Sequence, residues 1–155
     1  MDRGAAALLI GSCVHNVDAK GRIFIPAKWR EDLGDTIIVT RGLLGKGESK
    51  CLFAMSINAW KDFAARLSTL PEADVSLQDV RRVMFANACD CDLDKQGRIL
   101  ISNGLREYAE LTKEATLIGV DTRIEIWDSG AWERHNALIA ENYDAQLDKL
   151  ARIGI

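Results

Sequence analysis

The hydrophobic pattern changes period several times along the chain. SCVHNV (12–17) and CDCDL (89–93) read as short strands, each running into a tight Asp-x-x-Gly turn. RIFI (22–25) and RILI (98–101) follow the turns. Strand alternation places Ile23 and Ile25 on one side and Arg22 and Phe24 on the other; Ile99 and Ile101 oppose Arg98 and Leu100 in the same way. Short helices are predicted over AKWREDL (27–33) and NGLREYAEL (103–111). Strands follow at TIIVT (36–40), CLFAM (51–55), ATLIGV (115–120) and RIEIW (123–127). Further helices are predicted to begin near Ser56 and Asp128, whose short polar side chains suit an N-cap. The second of these runs far longer than the first. Between the halves, Val80, Val83 and Met84 stand at helical spacing. The run AALLIGSCV (6–14) falls well short of the roughly 18 apolar residues of a membrane span, and it is read as a first strand.

These elements occur twice. Asp18 laid on Asp94 gives seven identities in fourteen positions: Asp18, Gly21, Arg22, Ile23, Ile25, Arg30 and Glu31 against Asp94, Gly97, Arg98, Ile99, Ile101, Arg106 and Glu107. CLFAMSINAW (51–60) lies over RIEIWDSGAW (123–132) at an offset of 72 instead of 76, so the first half carries about four extra residues, assigned to LLGKGESK (43–50). Two copies are too few for a solenoid. Each is small for an independent core, which predicts halves that pack together or interleave their strands about a pseudo-two-fold axis. The expected divisions are a first repeat at 7–58, a helical connection at 59–82, a second repeat at 83–130 and a helical tail at 131–155. The fold class is α+β.

The 155 residues, 48% of them hydrophobic, suffice for one compact unit. The formal charge is −3, so total charge does not mark a nucleic-acid binder. Its distribution is more informative. Residues 18–30 carry net +3 and residues 94–106 net +2, leaving −8 on the remainder. A basic face on an acidic body suits a polyanion. Four cysteines (Cys13, Cys51, Cys89, Cys91) do not make a disulfide scaffold and fit a cytoplasmic protein with reduced thiols.

Gly21 and Gly97 stand where a hairpin turn needs positive φ, and Asp18 and Asp94 are suited to accept bonds from the backbone just ahead. Arg22 and Arg98 then lie at equivalent hairpin ends. Each can be a solvated charge or a partner for its turn aspartate. Being repeated, they also suit a paired functional surface.

The doubled Asp-x-x-x-Arg motif (Asp18–Arg22, Asp94–Arg98), with GRIFIPAKWR, GRILISNGLR and RIEIW ending at Trp132, resembles the MraZ family of AbrB-like, swapped-hairpin bacterial transcription factors. The resemblance implies two SpoVT-AbrB (double-split β-α-β) halves and a closed homo-oligomeric ring. It implies binding to direct repeats of double-stranded promoter DNA in the chain's own division and cell-wall gene cluster. It also implies a cytoplasmic, nucleoid-associated regulator; a ring bound over promoter repeats would block polymerase, and on that ground the chain is read as a repressor. Arg22 and Arg98 carry over as DNA contacts, with Lys20 and Lys95 as flanking phosphate contacts. The second copy departs where Gln96 replaces Lys20, Ser102 replaces Pro26 and Asn103-Gly104 replaces Ala27-Lys28. The competing reading is an oligomeric assembly factor whose arginines meet carboxylates of a neighbouring subunit.

Other chemistry finds less support. Cys13-x-His15 and Cys89-x-Cys91 occupy equivalent strand positions and offer four zinc ligands if they converge, but buried cysteine at alternating positions also serves as a small hydrophobe. His15 and His135 accompany no nucleophile motif. GLLGKG (42–47) lacks the full phosphate-loop pattern and is read as a hairpin tip. Glu125 and Asp128 suit edge or cap roles, and Trp60 and Trp132 suit packing. No catalytic residue, metal, cofactor, membrane or small-molecule substrate is called for.

Overall fold

A computed structural model describes residues 8–43 and 50–155. The elements are β1 (Ser12–Asn16), β2 (Arg22–Phe24), α1 (Ala27–Leu33), β3 (Thr36–Arg41), β4 (Leu52–Ser56), α2 (Ile57–Leu67), α3 (Val75–Ala86), β5 (Cys89–Asp92), β6 (Arg98–Leu100), α4 (Asn103–Tyr108), β7 (Glu114–Val120), β8 (Arg123–Asp128) and α5 (Ser129–Arg152). Of the run read as a first strand, residues 6 and 7 lie outside the described residues; Leu9 makes one bridge to Asp121, and regular pairing starts at Ser12. Most of the GLLGKG tip (42–47) and of the proposed insertion (43–50) also lies outside them.

All strand pairing is antiparallel, in a six-stranded sheet ordered β1-β7-β8-β4-β3-β5 and a two-stranded ribbon β2-β6. The halves are interleaved. The first strand of each half lies outside the third strand of the other: β1 on β7 and β5 on β3. The registers locate a pseudo-two-fold axis. Ile23 pairs with its own repeat equivalent Ile99, and Phe53 with its equivalent Glu125. Val39 pairs with Ala54 and Leu117 with Ile126, so β3 and β7 are related by 78 positions but β4 and β8 by 72. The net excess of four in the first half is therefore a six-residue excess between β3 and β4, less two between the ribbon strand and β3.

This arrangement corrects the expected hairpin. Only one bridge, Val17–Ile23, joins β1 to β2. Beyond it the strands part, because Val17 donates to Lys113 O (2.8 Å) while Ile25 donates to Gly97 O (2.8 Å). Two separate hairpins per subunit are thus replaced by one ribbon with a strand from each half.

Two apolar layers flank the large sheet. The ribbon, α1 and α4 cover one face, where Ile23, Ile25, Ile99 and Ile101 are fully buried, with Trp29 and Leu105 beside them. On the other face Phe53, Met55 and Trp127 pack with Phe63 and Leu67 of α2 and Met84 of α3. Leu52 to Met55 are all buried, which explains the continuous apolar run of β4: a central strand covered on both faces needs no polar alternation. Ser56 and Asp128 cap α2 and α5 by accepting from Ala59 N and Ala131 N, both at 3.1 Å. Trp60 packs on Phe63 and Phe85, and Trp132 on Trp127. The helix predicted over 103–111 stops at Tyr108, and Glu110 turns the chain with φ 52°.

The Ile23–Ile99 pair holds both halves, so each truncation should weaken the whole fold. Ile23→Ala and Ile99→Ala should each cost about 2–5 kcal/mol, and the double variant should depart from additivity by about 0.5 kcal/mol or more. Urea unfolding should remain a single transition; separate transitions for the two halves would contradict interleaving.

Candidate nucleic-acid interface

The two Asp-x-x-x-Arg turns are built alike. Asp18 accepts from the backbone N–H groups of Lys20 and Arg22 through Oδ1, both at 2.9 Å, and from Arg22 Nε through Oδ2 at 2.6 Å. Asp94 accepts from Gln96 N, Arg98 N and Arg98 Nε, all at 2.9 Å. Gly21 and Gly97 close the turns with φ of 91° and 79°. Each carboxylate therefore shapes its turn and fixes the direction of its arginine.

Because β2 and β6 pair side by side, the outward residues Arg22, Phe24, Arg98 and Leu100 share one face. Arg98 Nη1 reaches across to Asp18 at 3.7 Å, linking the turns. The Arg22 and Arg98 side chains remain 30% and 28% exposed. Lys20, Lys95 and Gln96 are exposed at the turn tips. The structure thus sets Asp18, Arg22, Asp94 and Arg98 together across the ribbon, with Lys20 and Lys95 exposed and Gly21 and Gly97 buried in its turns. The arginines are paired with carboxylates of their own chain.

Two further arginines complete the surface. Arg30 Nε donates to Ile25 O (2.8 Å), and its guanidinium covers Gly97 of the other half. Arg106 Nε donates to Ile101 O (3.0 Å), and its guanidinium covers Gly21, also bonding Asn103 Oδ1. A Cβ at either glycine would overlap the arginine above it. Arg30 and Arg106 are identities of the sequence repeat, yet spacing within one half gives no sign that each caps the opposite turn.

The four residues weighed as zinc ligands form no cluster. Cys13 and His15 lie on β1 and Cys89 and Cys91 on β5, the two ends of the six-stranded order. His15 packs edge-on against Phe24, and the Cys91 thiol points toward Leu100 O (3.5 Å). Burial pushes the Cys91 thiol up to about 12 and also raises Cys13, disfavouring the thiolate a metal requires. Among the described residues no group of three or more His, Cys, Asp or Glu side chains is placed to hold a metal ion. Glu125 accepts from Arg123 Nη2 (2.9 Å) and Trp127 Nε1 (3.1 Å), while Asp128, besides its cap, accepts from Thr112 Oγ1 (2.7 Å). No helix among the described residues is long and apolar enough to cross a membrane.

The model of a family described as "MraZ protein, putative antitoxin-like" matches residues 8–83 and again residues 84–153. The chain belongs to the MraZ family. The double match coincides with the sequence repeat. A protein of Acetivibrio thermocellus described as transcriptional regulator MraZ is 44% identical over 150 residues, covering 96% of this chain and 100% of the relative. One of the same description from Desulforamulus reducens is 42% identical over 143 residues, covering 92% and 97%. A Pyrococcus horikoshii protein solved in solution aligns with 79% of this chain and 95% of its own at 16% identity and a TM-score of 0.36.

The hydrogen bonds from the Arg22 backbone, followed by its side chain and the Lys20 backbone, hold the Asp18 carboxyl at about 2, below its ordinary 3.8. The same set lowers Asp94. A carboxyl depressed on folding contributes stability above its unfolded value and loses it as the pH falls through the folded one. Carboxyl NMR titration should therefore find the Asp18 midpoint near 2 and Asp94 below 3.8. Arg22→Ala should raise the Asp18 midpoint only part of the way back, since two backbone donors remain; no change would show that the side chain does not organise the turn.

Proposed function

We propose that the β2–β6 ribbon and its turns are a DNA-reading face and that the chain regulates transcription. The carrying observation is the convergence of Arg22 and Arg98, each aimed by an aspartate, with Lys20 and Lys95 exposed beside them. Family membership and the description of its relatives as transcriptional regulators support the same role.

In this reading Lys20 and Lys95 contact phosphates, and Arg22 and Arg98 meet phosphates or a guanine edge, a bidentate base contact giving about 1–3 kcal/mol of discrimination. Gln96 offers an amide where the first turn has Lys20, so the two turns read unlike groups. We take the halves as AbrB-like units at 7–58 and 83–130, joined by 59–82 and followed by the tail 131–155. The target is the repeated promoter sequence of the chain's own division and cell-wall cluster, and the mode is repression by occlusion, in the cytoplasm at the nucleoid. A ring presenting many such ribbons gains affinity on repeats about one helical turn apart through effective concentration. The alternative assembly role needs Arg22 and Arg98 for a neighbour's carboxylates. Their pairing with Asp18 and Asp94 speaks against it.

Fluorescence anisotropy on the DNA upstream of the chain's own gene, against a scrambled duplex, tests this reading. Specific binding should weaken steeply with salt, and Lys20→Ala and Lys95→Ala should each lower the salt slope by about 1. Arg22→Lys should reduce the preference over scrambled DNA more than the affinity for it. Equal binding to both duplexes at every salt concentration would reject sequence-specific regulation.

A further inference from the structure

Among the described residues nothing covers the outer part of α5. Every residue from Ala140 to Ile155 is exposed, yet Tyr143, Leu147, Leu150 and Ile153 recur at steps of three and four and form an apolar stripe about 15 Å long. Leu147 and Ile153 are 41% and 72% exposed. On a helix of 24 residues, Asp144 and Asp148 border this stripe on one side and Lys149 on the other. A contiguous apolar face of this kind marks an interaction surface.

A second uncovered surface lies elsewhere on the molecule. α3 is tied to β3 at its end, where Thr40 Oγ1 donates to Met84 O (2.7 Å). Between them runs a groove of about 430 Å³ floored by Val80, Val83, Leu43 and Tyr108. Asp79 stands on its α3 wall and Arg41 on its β3 wall. The Arg41 guanidinium lies 4.4 Å from the Tyr108 ring centre, with Lys50 Nζ 5.5 Å from the same ring. Arg41 Nε is buried and has no hydrogen-bond partner among the described residues. A buried donor without an acceptor is costly, and a carboxylate reaching the groove would satisfy it.

Both surfaces carry apolar residues bordered by charges of opposite sign. We propose that the α5 stripe of one copy seats in the α3–β3 groove of a second copy. Tyr143, Leu147 and Leu150 lie against Val80 and Val83, Asp144 or Asp148 faces Arg41 and Lys50, and Lys149 faces Asp79. The proposal rests on the reading of the chain as a multi-subunit assembly and names the contact that builds it. Stripe and groove are different surfaces, so the contact is heterologous: it adds copies head to tail and ends only where the rotation closes a ring.

Sedimentation velocity at micromolar concentration on the full chain tests the contact, with circular dichroism as a check on folding. The wild type should assemble, and Leu147→Asp with Leu150→Asp, or Val80→Asp with Val83→Asp, should weaken assembly about tenfold or more. In addition, Leu147→Cys mixed with Val80→Cys should form a disulfide between copies, and neither variant alone should do so. This arm decides the matter if the groove variant loses structure. A monomeric wild type would overturn the assembly reading itself. An assembled wild type with both charged variants unaffected, or with no cross-link on mixing, would overturn this contact alone. Loss in the α5 variant with an intact groove variant would give the stripe a different seat and also overturn it.

Discussion

The contact on which the rest depends is the pairing of Ile23 with Ile99 on the pseudo-two-fold axis. It closes the apolar layer beneath the ribbon and is the place where each half receives a strand partner it cannot supply itself. The β2 strand is three residues long, and so is β6. Neither would be ordered alone, because a strand that short buries too little to offset the entropy of fixing it. Paired and pressed against the six-stranded sheet, both isoleucines lose all exposure. The turns inherit this rigidity, for each is bonded through its glycine carbonyl to the opposite half, Gly97 O to Ile25 N and Gly21 O to Ile101 N.

Electrostatics acts on that frame locally. The turn carboxylates bind backbone donors as well as an arginine, so a change at Asp18 or Asp94 alters loop geometry and charge together. This coupling explains why an exposed residue type can be so narrowly specified. Glutamate would add a methylene and lose the reach to the two backbone N–H groups two and four residues ahead. Arg30 and Arg106 add a second constraint from above, by covering glycines whose φ already excludes most side chains.

Much of the local structure was legible in the sequence. Alternation placed Ile23, Ile25, Ile99 and Ile101 inward, and Ser56 and Asp128 marked two helix starts because capping is a short-range interaction. Pairing across the halves was not legible, since alternation reports which face a residue takes and not which strand lies beside it. Interleaving therefore stood beside simple packing of two halves, and whether Cys13, His15, Cys89 and Cys91 converge was open. The caps formed by Arg30 and Arg106 were hidden for the same reason, since the glycines they guard lie 67 and 85 residues away. The course of the tail after Trp132 was hidden differently: residue spacing says that a helix continues there and not what it packs against.

The repeat also differs from a dimer of identical chains in one respect. In such a dimer every substitution appears twice, and the particle has no polarity across its two-fold axis. Here α3 follows only the first copy of the unit, and α5, with 24 residues, is more than twice as long as its counterpart α2, with 11. Joining the copies in one polypeptide has therefore made a nearly two-fold body polar, with a distinct leading and trailing end along the direction in which copies would stack.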